Sequence, residues 1–296
     1  MKFEGFITYL ITEKRSSAHT VEAYKSDLAQ FDVFVQREFE LTDETQVVST
    51  IVRSWMAYLM EEGYNPTSVH RKISSINAYY RFLQKQGLVS TNPARGISKP
   101  KKAKRLPHFV EETAMEKLYL GSNDLTDFPS VRNNLMIHLF YETGIRLSEL
   151  MQLTDRDVDN SIGQIKVLGK RNKMRYVPVG KETLEKIRYY MQLRGKMNLD
   201  QQSGMLIVSD RGEKISKSFV YQTVKSYLST VTTQTKRSPH VLRHTFATHM
   251  LNNGADLNVI KEILGHSSLA ATQVYTHNSI EKLKGIHTRM HPRHKS

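Results

Sequence analysis

Cysteine is absent from this 296-residue chain, which excludes a disulfide framework and fits a reducing compartment. No stretch approaches the roughly 20 consecutive apolar residues that a membrane span needs. Met1 to Leu10 lacks the basic segment and apolar run of a secretory signal, so a cytoplasmic protein with no membrane association is expected. Internal repeats and low-complexity tracts are missing as well. Acidic residues are scarce: 29 Asp+Glu stand against 43 Lys+Arg, a net charge of +14, which implies a polyanionic partner, most economically nucleic acid. The shortage is uneven. Residues 1–100 hold 12 Lys+Arg and 11 Asp+Glu, a net +1, and the remaining +13 falls on residues 101–296. A chain of this length with 39% hydrophobic residues can bury one or two cores, and two domains are the natural expectation.

What is present reads first as a helical bundle. Lys2 to Glu13 suits a short helix. Thr20 can cap a longer one carrying Tyr24, Leu28, Phe31 and Phe34 or Val35 on one stripe. A third helix runs from about Ser49 to Glu62 and stops at Gly63. Pro66-Thr67 opens a fourth, with Val69, Ile73, Ile76 and Tyr80 on its apolar face and Gly87 at its end. His70, Arg71, Lys72 and Arg81 share that helix with serines, which favours phosphate contact by Arg71 and Lys72 over a merely solvated face. Lys101, Lys102, Lys104 and Arg105 crowd the stretch between Pro93 and Pro107, which has no apolar periodicity. It reads as a basic linker, either a solvated hinge or a strap across a DNA backbone. The expected domains are therefore 1–98, a linker at 99–107, and 108–296.

In the second domain, Pro129 to Glu142 reads as a buried helix closed by Gly144, so that Arg146 enters a short helix, LSELMQL. A guanidinium flanked by Leu147, Leu150 and Met151 needs an anionic partner, either Glu149 or Asp155, or a substrate phosphate. QIKVL and RYVPV alternate like paired strands around the turn GKRNK, which puts Lys170 at a hairpin tip. Met205 to Val208 suggests a further strand and Lys217 to Thr230 a helix. The expected class is mainly α with a small β-sheet.

The stretch from Ser238 to His277 concentrates reactive side chains. Ser238 suits an N-cap and Pro239 the first helical position, so His240 and Arg243, three apart, share a face. Gly254 can close that helix, Asp256 can cap the next and Gly265 can end it, leaving His266 on a tight turn. Ser267 or Ser268 can cap a third helix carrying Tyr275. Taken singly these residues are unremarkable, since a histidine beside an arginine is ordinarily solvated surface and a lone tyrosine is ordinarily core or rim. His240 and His244 have the spacing of a zinc helix, but the accompanying glutamate is missing and no cysteine completes a site. No metal and no cofactor are expected.

Jointly, H-x-x-R, then L-G-H-S, then a tyrosine nine residues on resembles the signature of the tyrosine recombinases. Their T-G-[IL]-R-x-S-E-L segment matches Thr143 to Leu150, and their hairpin lysine matches Lys170 within Gly169 to Lys173. The resemblance covers nearly the whole chain and is greatest to the Xer subgroup, which resolves chromosome dimers. It implies an N-terminal SAM-like, core-binding helical bundle and a mixed α/β catalytic domain. It also implies cleavage and rejoining of double-stranded DNA through a 3′-phosphotyrosyl intermediate, without ATP or metal. The implied roles suit the chemistry, because in-line attack on a phosphodiester spreads negative charge over the non-bridging oxygens and catalysis is mostly charge stabilisation and positioning. Arg146 and Arg243 form the clamp, offering paired donors that never lose their charge. Tyr275 is the nucleophile. His240 assists its deprotonation or orients the clamp, and His266 bonds a non-bridging oxygen. Lys170 protonates the departing 5′-oxygen; Arg171 stands where many Xer relatives have glycine, and Lys173 is close enough to remain a rival. Arg171 and Lys173 add to the DNA-facing charge. The expected assembly is a tetramer on two DNA sites, made with copies of itself or with a related recombinase and activated by a septal DNA translocase. The last helix, with Ile280, Leu283 and Ile286 on an apolar strip too small to be a core, either packs on its own catalytic domain or, as in the family, docks on the neighbouring subunit.

Other classes stay in view. A helix-turn-helix regulator would share the basic charge but has no use for the lysine hairpin together with Tyr275. A metal-dependent nuclease would want more acidic residues near the histidines than Asp256 and Glu262. Within the family, a mobile-element integrase is the rival; the compact length, with no arm-binding extension, favours the Xer reading.

Overall fold

The computed structural model describes residues 3–101, 108–120, 125–169, 174–199, 204–265, 286–287 and 290–292. The chain divides into two compact units, Met1–Arg105 and Leu106–Ser296, each with its own hydrophobic core. Among the described residues no helix is long and apolar enough to cross a membrane.

The first unit is built from α1 (Glu4–Thr12), α2 (Ala18–Phe39), α3 (Ser49–Glu61) and α4 (Pro66–Lys85). Leu28, Phe31, Trp55 and Ile73 are fully buried, and the Phe31 and Trp55 rings lie 4.9 Å apart. The first residues of α2 differ from the sequence expectation. Ser17, not Thr20, is the cap, and its hydroxyl accepts from the Thr20 amide at 3.2 Å, adding a turn at the front of the helix. Asn65 caps α4 by accepting from the Ser68 amide, and Pro66 follows at the first helical position.

The second unit is organised around α6 (Phe128–Thr143), which packs against α8 (Lys181–Lys196) and α10 (Pro239–Asn252). Asp127 caps α6, and Gly144 ends it in the left-handed region at φ +58°. Around it lie α5 (Glu112–Leu120), α7 (Leu147–Leu150), α9 (Lys217–Val231) and α11 (Leu257–Leu264). A three-stranded antiparallel sheet in the order β1 (Val158–Asp159), β2 (Gln164–Leu168), β3 (Met174–Pro178) lies beside them. Its register pairs Leu168 with Met174, Val167 with Arg175 and Ile165 with Val177. The last two pairs are buried on one face.

The strand expected at Met205 to Val208 does not form. Met205 makes only an isolated bridge to Thr154, and Val208 one to Lys214. The reason is a side chain: the buried Arg194 guanidinium donates to the carbonyls of Met205 at 3.0 Å and Leu206 at 2.7 Å, meeting acceptors that a strand partner would otherwise satisfy. Of the C-terminal strip, Ile280 and Leu283 lie outside the described residues. Ile286 and Met290 pack on the core of their own unit, and His287 donates through Nε2 to the Glu142 carbonyl at 2.8 Å.

Candidate active site

The chain leaves α6 through Gly144, where an added Cβ would lie 2.6 Å from Phe246 and 2.7 Å from Leu264. Only glycine fits that approach, and it turns the chain so that Arg146 stands at the N-cap of α7. The Arg146 amide donates to Glu149 Oε2 and its Nη1 to Glu149 Oε1, each at 2.7 Å. Of the two carboxylate partners weighed for Arg146, Glu149 is the one it binds.

A second guanidinium reaches the same carboxylate from β3. Arg175 donates Nη1 to Glu149 Oε1 at 2.7 Å and Nη2 to Oε2 at 2.9 Å, a two-pronged pair that only a guanidinium can make. The third comes from α10, where Arg243 lies one turn beyond His240 and is buried.

These three arginines meet at the end of α11. Its last carbonyls are unpaired within the helix and carry the negative end of the helix dipole. Arg175 Nε donates to the Ile263 carbonyl at 2.7 Å, Arg243 Nη2 to that of Leu264 at 2.6 Å, and Arg146 Nη2 to that of Gly265 at 3.1 Å. Three consecutive carbonyls are thus each capped by a different arginine, and Arg243 Nη1 also donates to the Gly144 carbonyl. Gly265 closes α11 at φ +64°, and the next residue is His266.

The electrostatics follow from burial. Desolvation pushes the Glu149 carboxyl upward, but bonds from Arg175 and Arg146 outweigh it and hold the group down at about 2. Burial, and then the charge of Arg146, lowers Arg243 to about 9, still cationic at neutral pH. Three guanidinium groups around one carboxylate leave a surplus of positive charge. Arg146 keeps 33% of its side chain exposed, against 5% for Arg175, so Arg146 is the open edge of the cluster. His240 is exposed, and its ring meets that of His244 at 4.7 Å, edge to face. Burial lowers His244, with His240 and Arg243 adding to the shift.

Arg146 and Arg243 thus meet at one place, while His240, one turn before Arg243 on α10, is exposed beside His244. Lys170, Arg171, Lys173, His266 and Tyr275 lie outside the described residues, as do Lys102, Lys104 and Arg105. In the first unit, Arg71 is half-exposed and bonds Asp27. Lys72 is a correction: its ammonium is buried against Asp27, at 3.2 Å, and Gln30. It balances a fully buried carboxylate and presents no charge at the surface. Lys101 is exposed, but Lys99 bonds Ser74 at 2.9 Å and the Pro100 carbonyl meets the His70 ring at 2.7 Å, so the start of the basic segment is held on α4. Arg175 was missed. Its signal was available, because strand alternation puts it on the same face as Val177, where a lone charge demands a buried partner.

Residues 108–282 match the phage integrase family, and residues 3–87 match the phage integrase N-terminal SAM-like domain. The chain is 35% identical to tyrosine recombinase XerC of Chlorobaculum parvum, over 98% of this chain and 94% of the relative. It is 37% identical to tyrosine recombinase XerC of Anoxybacillus flavithermus, over 97% and 96%. In fold it is similar to the XerH site-specific recombinase in a post-cleavage complex with a palindromic difH substrate, at a TM-score of 0.73 and 18% identity, over 95% of this chain and 79% of that one. A helical bundle followed by a helical unit with a small antiparallel sheet is the fold that the two structures share. The chain belongs to the phage integrase family, the tyrosine recombinases, which cleave and rejoin DNA at specific sites. Within that family it is similar to the Xer proteins.

Proposed function

We propose that this recombinase resolves chromosome dimers at segregation, with Tyr275 as nucleophile. The observation that carries the chemical part is the convergence of Arg146 and Arg243 on the backbone just ahead of His266. A guanidinium has five N–H donors, and each of these two directs a pair of them at protein oxygens, leaving others for a phosphate. Tyr275 Oη attacks phosphorus in line, the bond to the 5′-oxygen breaks, and the 3′-phosphate is held as a phosphotyrosyl ester. Lys170, or Lys173 beside it, gives the leaving oxygen its proton. His240 accepts the tyrosine proton or orients the clamp, and His266 bonds a non-bridging oxygen. The ester conserves the bond energy, so attack by a second strand's 5′-hydroxyl rejoins DNA without ATP.

The first unit and the residues around the 101–105 basic segment bind duplex DNA, and four protomers act on two sites in the cytoplasm, alone or with a related recombinase, under a septal translocase. The Xer relatives support the chromosomal role over that of a mobile element. Cross-linking and mapping the bound sites across the host chromosome tests this: a single site opposite the replication origin is expected, and sites confined to mobile elements would overturn it. A nicked duplex of that mapped site tests the chemistry. Tyr275→Phe should bind it almost normally and form no covalent adduct, and persistent adduct would reject Tyr275.

A further inference from the structure

Among the described residues, the buried arginines of the second unit outside the clamp are Arg132, Arg175 and Arg194. Arg132 and Arg194 are explained by packing, with each guanidinium against an aromatic ring and an aspartate. Arg175 touches three parts of the site at once. It pairs in register with Val167 on β2, one pair in from the Leu168–Met174 pair at the end of the two strands. Two of its N–H groups grip Glu149, the carboxylate that holds Arg146. Its Nε caps the Ile263 carbonyl. A Cβ added to Gly265 would lie 3.1 Å from Arg175 Cδ and Nη1, so the end of α11 rests on this side chain.

We infer that Arg175 is a positioning residue for strand cleavage, a strut that sets Arg146, the β2–β3 strand pair and the end of α11 relative to one another. The inference rests on the tyrosine-recombinase reading of the site. A planar guanidinium bonded on three edges has one place to be, whereas a lysine ammonium carries the same charge without that fork. With Arg175 in place, Glu149 is ionised throughout the working range and cannot release Arg146. The charged groups facing Glu149 are Arg146 at the head of α7, Arg175 on β3, Arg243 on α10, and Lys166 and Asp157 across the neighbouring cavity.

The test uses the full chain and the nicked duplex of the mapped site, with adduct formation followed in single turnover from pH 5 to pH 9, DNA affinity by gel mobility, and thermal unfolding. Arg175→Lys keeps the charge and should bind DNA within about threefold of the wild type, yet cleave about 100-fold more slowly, the loss typical of a misplacement near 1 Å. Arg175→Met should also have its acid limb moved to higher pH than the wild type's, because Glu149 loses two of its donors and its protonation moves up toward the assayed range. Wild-type cleavage by Arg175→Lys would overturn the proposal. So would a loss in Arg175→Met that follows only the folded or bound fraction with an unchanged pH profile. If Arg175→Met does not fold, the lysine variant decides. No adduct from the wild type would instead overturn the recombinase reading on which this one rests.

Discussion

Glu149 is buried yet charged because four N–H groups, two from Arg146 and two from Arg175, converge on its oxygens. Its folded value of about 2 lies below that of an exposed glutamate, so its contribution to stability is present above pH ~4 and is lost as pH falls toward 2. Glu149→Gln removes the countercharge and leaves Arg175 buried without one. The variant should be about 3 kcal/mol less stable at neutral pH, and its deficit relative to wild type should shrink below pH 4; acid and urea melts followed by circular dichroism check both. Lys170 makes a second prediction at this scale. Replacing the 5′-bridging oxygen by sulfur gives a leaving group that needs no proton, so Lys170→Ala should be slow on normal DNA and largely restored on the sulfur substrate. Rescue of Lys173→Ala alone would move the general acid three residues along the turn.

Among the elements, α11 is the one whose end matters most to the site. Asp256 starts it, accepting from the Asn258 amide at 2.7 Å, and three arginines finish it. Asp256→Ala should cost about 1 kcal/mol of stability and change cleavage little, since the C-terminal cap is untouched. Gly144→Ala should be harsher. The residue would be held at positive φ, and its methyl would drive into Phe246 and Leu264, so a loss of about 2–3 kcal/mol is expected in thermal melts. Its rate of adduct formation should fall further than its DNA affinity, because the clash displaces the turn that feeds Arg146. The strand expected at Met205 to Val208 failed at this scale. Leu206, Ile207 and Val208 are buried as an apolar run should be, but the acceptor side is met by Arg194, a residue on α8 that no local pattern links to it.

For the whole molecule the controlling quantity is charge. Residues 101–296 hold a surplus of +13, and DNA affinity should fall steeply with salt, with a logarithmic slope of about −0.9 per phosphate neutralised. Replacing Lys101, Lys102, Lys104 and Arg105 together by alanine should flatten that slope, and an unchanged slope would make the segment a plain hinge. Lys72 should be left out of such a set. Lys72→Ala should lower stability rather than the salt slope, because it strips a fully buried aspartate of a charged partner.

Local rules were enough for much of this protein. The opening of α4 at Pro66, the cap at Asp256, the stops at Gly144 and Gly265, the paired strands β2 and β3 and the placing of Arg146 at the entry to α7 are decided by residues within a few positions of each other, where propensity and hydrogen-bonding geometry act. Spacing alone also put His240 and Arg243 one turn apart on one helix, but packing buries Arg243 and leaves His240 exposed. What only the tertiary structure decided are pairings across the chain. Asp27 draws Lys72 into the first core from 45 residues away. Glu149 selects Arg175 across 26, and the end of α11 selects Arg146 across 119. A buried charge must find its counterpart somewhere, but which one it finds depends on how the elements pack, and no local window of sequence contains that information.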